Sequence, residues 1–392
     1  MRILYITHKP IYPIIDGGCV AMNNFLKCLL KAEVKVKHIC ISTNKHPFDF
    51  SLHPLEYQSS INIDNHYIDT DVTHTRGFFG LFQSGSYNIN RFHCKNLQKR
   101  IGHELEQHEY DCVILESLFT TTYIDSIRSK SNSTIFIRTH NIEHKITSDL
   151  AKNASGAKRV YLSKLSKDLK VYEIEALNKA DGILSISKND TEQLKNLGIM
   201  TPIKNIGVAI PIKEIQNNYD SSGIFHLGSM NWQPNIEAVK RLINIFPEIK
   251  KSAPLCEVHI AGSAENSKLK SHPKNQIYFD GFVDDPNEFA INKGILVSPI
   301  TSGSGVRIKI LEMMSIGIPI ITTTLGASGI NHHDSNALVI ADNDTEIIDA
   351  TLKLIKNKNI RKEVGQNAIE YIRKNHNIES ISKEIIEFIQ GT

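Results

Sequence analysis

The chain has 392 residues, which is too long for one ordinary hydrophobic core and favours two domains. Hydrophobic residues make up 41% and charged residues 22%, values that are normal for a soluble globular protein. The 45 basic and 42 acidic residues give a net charge of +3, which is too small to indicate nucleic-acid binding and leaves room for only a mild attraction to an anionic surface.

The N-terminal residues Ile3 to Thr7 form a short strand pattern rather than a signal peptide, because no small-residue cleavage site follows them. No run approaches the roughly 18 apolar residues of a membrane-spanning helix. The six cysteines have no metal-ligand spacing, and Cys28, Cys40 and Cys112 lie in apolar periodic segments typical of core positions. We therefore expect a cytoplasmic protein without a disulfide framework.

Strand and helix patterns alternate through the first half of the chain. The first strand is followed by loop 9–18, which ends in Gly17 and Gly18, and by a helix from Val20 to Lys31. Further apolar strands are predicted at Val34 to Ile41, Cys112 to Glu116, Thr134 to Arg138 and Gly182 to Ile186. One long helix is predicted from about Ala157 to Lys179. Strands that are apolar throughout predict a parallel sheet covered on both faces.

The second half repeats this alternation after a boundary near residues 209–222, where a proline-containing and then polar stretch lacks periodicity. Strands are predicted at Gly223 to Gly228, Glu257 to Ala261, Gln276 to Phe279, Gly294 to Ile300, Ile318 to Thr322 and Ala337 to Ala341. A helix is predicted from Pro234 to Lys251, and three amphipathic helices are predicted from about Thr345. Two doubly wound α/β domains facing each other would place a ligand cleft at the carboxyl ends of both sheets.

The strongest functional signal is the segment from Thr301 to Glu312, TSGSGVRIKILE. A buried strand, a small-residue loop and a helix N-terminus form an arrangement that receives phosphate, because backbone N–H groups and the helix dipole favour an anion. Arg307 and Lys309 could belong to a solvated helix face, but after this loop they are better placed to neutralise a diphosphate. Glu312 lies one turn further on and could bind a pair of hydroxyls.

Three other segments allow both a structural and a functional interpretation. Gly17 and Gly18 form either a tight turn or a backbone approach to a phosphate or sugar; they are not a dinucleotide fingerprint, which argues against a nicotinamide-dependent dehydrogenase. His140 follows a strand end and either binds a sugar hydroxyl or helps to start the next helix, which Asn141 could cap. The apolar loop 77–82 is either core or a surface for an apolar acceptor or a membrane.

These motifs together resemble the retaining glycosyltransferases of family 4, also called glycosyl transferases group 1, which have the GT-B fold. The resemblance covers nearly the whole chain, and its most specific element is Gly303 to Thr322, followed by Gly326-Ala-Ser-Gly329. Supporting elements are the Gly17-Gly18 loop and the segments 140–143, 225–235 and 281–285. The resemblance implies an acceptor-side Rossmann-like domain at 1–210, a nucleotide-sugar domain at 211–375 and a helix at 376–392 that crosses back to the first domain.

The resemblance also implies roles for individual residues. Glu312 matches the second glutamate of the family's E-x7-E pattern, which holds the ribose hydroxyls. Arg307 and Lys309 match the positions that neutralise the diphosphate, and His140 matches the N-domain histidine near the donor sugar. The remaining donor-binding positions lie in the glycine loops, at Gly17, Gly18, Gly228, Ser304, Gly305 and Val306.

Two departures from the family pattern concern the donor. Ser304 stands where the first glutamate of E-x7-E would fall, so a carboxylate contact to the sugar is missing. The segment Met230 to Gln233 replaces a basic pair that many relatives carry after the first strand of the second domain. Arg307 and Lys309 would therefore carry more of the work of neutralising the diphosphate.

The resemblance implies transfer of a sugar from a nucleotide diphosphate donor to a hydroxyl of a glycan or lipid-linked acceptor, with retention by front-face displacement. No cofactor, metal or nucleic acid is expected, and the pair Asp69 and Asp71 is interpreted as chance. Membrane association through loop 77–82 is left open beside the cytoplasmic location. The alternatives are a nucleotide-sugar epimerase of GT-B fold and a non-catalytic scaffold with the same fold.

Overall fold

The computed structural model describes residues 1–71, 86–213, 217, 219–263, 271–303, 305–330 and 336–392. The chain forms two compact units: unit 1 comprises Met1–Ala209 and Ile378–Thr392, and unit 2 comprises Ile210–Asn377. The C-terminal helix thus returns to the first unit. Loop 77–82 and Ser304 lie outside the described residues.

Unit 1 is a seven-stranded parallel sheet flanked by helices. Its strands are β1 (Arg2–Thr7), β2 (Lys35–Ser42), β3 (Asn62–Tyr67), β4 (Cys112–Glu116), β5 (Thr134–Thr139), β6 (Gly182–Ser185) and β7 (Ile203–Asn205). Its helices, numbered with the C-terminal one as the last of the chain, are α1 (Gly17–Lys31), α2 (Leu55–Ser60), α3 (Tyr87–Asn90), α4 (Lys95–Gln107), α5 (Ile124–Lys130), α6 (Glu143–Lys152), α7 (Gly156–Asn178), α8 (Lys188–Asn196) and α14 (Ile378–Gly391).

Unit 2 is a six-stranded parallel sheet built in the same way. Its strands are β8 (Gly223–Leu227), β9 (Val258–Ala261), β10 (Ile277–Gly281), β11 (Gly294–Ser298), β12 (Ile320–Thr322) and β13 (Val339–Ile340). Its helices are α9 (Gln233–Ser252), α10 (Pro286–Lys293), α11 (Ile308–Ser315), α12 (Asp344–Lys356) and α13 (Lys358–Asn375).

The strand order is the same in both units and fixes where a ligand can bind. The sheets run β3-β2-β1-β4-β5-β6-β7 and β10-β9-β8-β11-β12-β13. The strand order reverses between β1 and β4 in unit 1 and between β8 and β11 in unit 2. The connections that follow the two strands at each of these points therefore run in opposite directions along the sheet. A crevice opens at the carboxyl ends of the strands at that switch point, which lies between β1 and β4 in unit 1 and between β8 and β11 in unit 2.

The two sheets are covered by apolar side chains on both faces, as the strand patterns predicted. Every residue of β4, β6, β9 and β11 is buried. The C-terminal helix α14 packs on α1 through Ile381, Ile385 and Ile389, and the Ser382 hydroxyl donates to the Cys28 carbonyl at 2.7 Å. All six cysteines are free, and five of them are buried.

Two features of the fold differ from the sequence prediction. Helix α1 begins at Gly17 rather than at Val20, so both glycines belong to its first turn instead of the preceding loop. Strands β3 and β7 were missed because neither is an apolar run: β3 reads NIDNHY and has no fully buried residue. None of the helices within the described ranges is long and apolar enough to cross a bilayer.

Glycines at one helix contact in unit 2 allow backbones to approach closely. Gly365 lies within α13, where glycine normally costs about 1 kcal/mol relative to alanine. A Cβ atom at this position would lie 2.3 Å from the Gly317 carbonyl oxygen and 2.5 Å from Tyr219 Cε1. The tight contact, rather than helix propensity, therefore explains glycine here.

We expect Gly365→Ala to lower the free energy of unfolding by about 1–3 kcal/mol, the cost of overpacking, despite the better helix propensity of alanine. Gly391→Ala is the matched control, because a Cβ at Gly391 would meet no heavy atom within 4 Å. Urea unfolding followed by circular dichroism measures both variants. Equal stabilities would mean that α13 moves away from Gly317 without cost.

Candidate active site

Glu116 is a buried carboxylate at the switch point of unit 1. It is the last residue of β4, is 0% exposed, and accepts hydrogen bonds from the Tyr5 hydroxyl and from Arg138 Nη1, both at 2.5 Å. Burial alone would raise its pKa, but the positive charge of Arg138, and then His140, lower the pKa to about 2. The site therefore holds a permanent negative charge that is neutralised from within the protein.

His140 is held by that carboxylate. Its Nε2 contacts Glu116 Oε1, and its side chain is 11% exposed. Because an ionised carboxylate only accepts hydrogen bonds, Nε2 must carry a hydrogen. The ring of His8 meets that of His140 edge-on at 6.4 Å between centroids. His140 is thus oriented by Glu116 just beyond the end of β5.

The start of α6, next to His140, is capped from a distant helix. Glu173 of α7 accepts the backbone N–H groups of Glu143 at 2.9 Å and His144 at 3.1 Å, and it also contacts His144 Nδ1 at 2.6 Å. The N-cap position is Ile142, so Asn141 is not the cap that the sequence suggested. Burial and the nearby Glu173 charge raise the pKa of the Glu143 carboxyl to about 8.

Gly17 and Gly18 open helix α1 immediately after the β1 loop. Asp16 caps this helix by accepting the Cys19 N–H at 2.9 Å, and Lys9 Nζ donates to Asp16 at 2.6 Å. A Cβ atom on Gly18 would lie 3.1 Å from Lys9 Nζ. Glycine therefore leaves room for the Lys9–Asp16 ion pair at the helix N-terminus.

Lys309 is anchored at the switch point of unit 2. It is the second residue of α11, and its Nζ donates to the Leu227 carbonyl at 2.7 Å and to Asn235 Oδ1 at 2.8 Å, and lies 3.3 Å from His226 Nε2. His226 Nδ1 lies 3.1 Å from the Val297 carbonyl, so Nδ1 carries the hydrogen and Nε2 accepts. Burial, and then the nearby Arg307 charge, lower the pKa of Lys309 to about 7.

Arg307 lies beneath the glycine loop at the N-cap of α11. Its guanidinium donates to the carbonyls of Gly305 at 2.8 Å and Ser302 at 3.3 Å, and its Cζ lies 5.1 Å from the centre of the Trp232 ring. Burial lowers the pKa of Arg307 to about 10, so it stays charged near neutral pH. The cation–π contact fixes the plane of the guanidinium.

The loop after β11 packs closely against the start of α9, through Gly303 and through a hydrogen bond to Glu237. A Cβ on Gly303, whose φ is +91°, would lie 3.0 Å from Pro234 and 3.2 Å from Trp232. The Ser302 hydroxyl donates to Glu237 Oε2 at 2.6 Å, which fastens the loop to α9. Gly305 and Val306 complete the described part of the loop and are partly exposed.

Glu312 lies on the second turn of α11 and is partly exposed. Burial raises the pKa of its carboxyl to about 7, although the Lys213 charge acts in the opposite direction. A carboxylate at a helix surface with little solvation is suited to accepting hydrogen bonds from two adjacent hydroxyls.

The structure thus brings Arg307, Lys309, Gly228 and Glu312 to the carboxyl end of one sheet and His140 with Gly17 and Gly18 to that of the other. Sequence reasoning did not single out Glu116, Arg138 or Trp232. A signal for the first two was present, since each is a charged residue that ends or nearly ends an otherwise apolar strand. The contact of Trp232 with Arg307 had no local signal, because the two residues lie 75 positions apart.

Comparison with known proteins adds a family to this geometry. Residues 221–357 match the family model described as glycosyl transferases group 1. A protein from the cps region of Klebsiella pneumoniae is 23% identical over 290 residues, covering 71% of this chain and 74% of that protein. A glycosyltransferase of Methanocaldococcus jannaschii is 29% identical over 159 residues, covering 39% of this chain and 41% of that protein.

Solved structures resemble the chain over its whole length. The sucrose-phosphate synthase of Thermosynechococcus elongatus has a TM-score of 0.73 at 11% identity, covering 100% of this chain and 98% of that one. Anabaena HepE in complex with UDP has a TM-score of 0.67 at 12% identity, with each chain covered completely. These likenesses show the fold, and the family model and the archaeal relative show the class of enzyme. The chain is a glycosyltransferase with the GT-B fold, and residues 221–357 carry its match to the group 1 family.

Proposed function

We propose that the protein transfers a sugar from a nucleoside diphosphate donor to a hydroxyl of a glycan or lipid-linked acceptor, with retention at the anomeric carbon. The observation that carries this proposal is the concentration of positive charge at the switch point of unit 2. Arg307, Lys309 and the N-terminus of α11 converge there, and no carboxylate among the described residues pairs with Lys309. A diphosphate would supply the missing negative charge.

Each part of the donor has a candidate partner in this site. Arg307 and the backbone N–H groups of Gly305 and Val306 face the diphosphate, while Lys309 adds its charge from beneath the turn at Gly228. Glu312 accepts the ribose hydroxyls. HepE has been solved with UDP and with UDP-glucose, which makes UDP the first nucleotide to test.

The chemistry proposed is a front-face displacement. The acceptor oxygen bonds to the anomeric carbon as the bond from that carbon to the diphosphate oxygen breaks, and the acceptor proton passes to that same leaving oxygen. The protein's contribution is to stabilise charge developing on the diphosphate and to hold both substrates in line. In unit 1, His140 is proposed to contact the donor sugar, and Glu116 fixes its orientation.

The proposed acceptor is a hydroxyl of a glycan or of a lipid-linked molecule. A TarM mutant has been solved with Fondaparinux, alpha-GlcNAc-glycerol and UDP, which makes a glycan the first acceptor class to test. An epimerase of the same fold would convert the donor in the absence of any acceptor. Product analysis after incubation with UDP-glucose, with and without an acceptor, separates the two reactions.

Arg307→Ala should lower turnover by roughly 10²–10³, the scale for losing one preorganised charge contact in a transition state. Arg373→Ala is the control, since that guanidinium lies on α13 and is 60% exposed. Initial rates of UDP release measure both. Near-normal turnover of Arg307→Ala would exclude the diphosphate role.

His140→Ala should lower turnover by a similar factor, roughly 10²–10³, while leaving UDP affinity close to that of the native protein, because the contact proposed is to the sugar. His103→Ala replaces an exposed histidine of α4 and serves as the control. Steady-state rates measure turnover, and titration calorimetry measures UDP affinity. Loss of UDP affinity without loss of turnover would contradict this assignment.

Activity should persist in excess EDTA, because the positive charge at the proposed donor site comes from side chains and a helix N-terminus. Within the described ranges, no three His, Cys, Asp or Glu side chains are grouped so as to hold a metal ion. Rates are measured before and after EDTA treatment and after adding Mg²⁺ or Mn²⁺. Activity that disappears with EDTA and returns with a metal would overturn the metal-independent mechanism.

A further inference from the structure

The hydrogen-bonding capacity of Lys309 is the starting point. A lysine ammonium has three N–H donors and no acceptor. The structure gives its Nζ three acceptors, namely the Leu227 carbonyl at 2.7 Å, Asn235 Oδ1 at 2.8 Å and His226 Nε2 at 3.3 Å. All three donors are therefore already directed at groups of unit 2, and a phosphate oxygen could be bound only by giving up one of these bonds.

These acceptors are themselves fixed. His226 is 0% exposed, and its other ring nitrogen lies 3.1 Å from the Val297 carbonyl, which sets the tautomer that accepts from Lys309. Leu227 is the last residue of β8, whose backbone is paired in the sheet. Withdrawal of Lys309 would leave His226 Nε2 as a buried acceptor without its donor, which is costly.

Asn235 transmits the position of Lys309 to the neighbouring turn. Its Oδ1 accepts from Lys309, and its Nδ2 donates to the Ser229 carbonyl at 3.0 Å. A Cβ on Gly228 would lie 2.5 Å from Asn235 Nδ2, so the amide packs directly against the turn formed by residues 228–232. The ammonium therefore determines which way the Asn235 amide faces, and the amide determines the path of turn 228–232.

Turn 228–232 leads to Arg307. It ends at Trp232, the N-cap residue of α9, and the Trp232 ring lies under the Arg307 guanidinium at 5.1 Å. The turn held by Lys309 and Asn235 therefore contacts Arg307, the residue that the proposed function places at the diphosphate.

We propose that Lys309 is a positioning residue, which fixes turn 228–232 through Asn235 and thereby holds Trp232 and Arg307 in place, while Arg307 and backbone N–H groups bind the diphosphate directly. This inference rests on the proposed donor site and assigns different tasks to its two cations.

The test is a double-mutant cycle on UDP affinity, measured by titration calorimetry for native protein, Lys309→Met, Asn235→Ala and the double variant. Each single change should weaken UDP binding by about tenfold or more. The double variant should bind UDP at most about threefold more weakly than the weaker-binding single variant. Coupling of this kind is expected because both changes release the same turn. Lys240→Met removes an exposed lysine of α9 and should leave UDP affinity within about twofold.

Two results would overturn the inference. Independent effects that multiply in the double variant would indicate a direct contact between Lys309 and the diphosphate. Unchanged UDP affinity in Lys309→Met, with only a lower urea midpoint, would indicate a role in stability alone.

A crystal structure of the native protein with UDP decides the same question if Lys309→Met does not fold. We expect Nζ to retain Leu227 and Asn235 as partners with no phosphate oxygen in hydrogen-bonding range, and a bond from Nζ to phosphate would overturn the inference. If the native protein binds none of UDP, GDP and ADP, the proposed donor site fails, and the role of Lys309 fails with it.

Discussion

The two units differ in how they compensate a buried positive charge at the same place in the fold. In unit 1, Arg138 is paired with the Glu116 carboxylate, so the switch point is electrically balanced within the protein. In unit 2, Lys309 is satisfied by a carbonyl, an amide and an imidazole, which are neutral acceptors. Neutral acceptors meet the hydrogen-bonding needs of a cation but leave its charge uncancelled, and the pKa of Lys309 is lowered accordingly.

That difference gives each unit a different relation to a ligand. A balanced cluster holds a side chain such as His140 in one orientation. A cluster whose positive charge is not cancelled attracts an anion. The anion offsets the cost of burying the cation and the repulsion between the cation and the positive end of the helix dipole. The two sheets thus carry one charge-balanced cluster and one cluster in which Lys309 contacts only neutral acceptors.

Close packing joins the loop that follows β11 to the turn that follows β8. Gly303 lets its loop lie against Pro234 and Trp232, and the Ser302 hydroxyl joins that loop to Glu237 of α9. The loop that follows β11 and the turn that follows β8 are consequently one packed structure.

The sequence by itself determined the alternation of strands and helices, the two units and the loop that precedes α11, because burial periodicity and glycine-rich turns are local properties of the chain. It did not determine strands β3 and β7, whose polar residues satisfy backbone pairing without an apolar pattern. Only the tertiary structure decided the partners: Glu116 with His140, Trp232 with Arg307 and Asn235 with Lys309. These pairs join residues 24, 75 and 74 positions apart, and which of them meet depends on strand order and register, which no local pattern encodes.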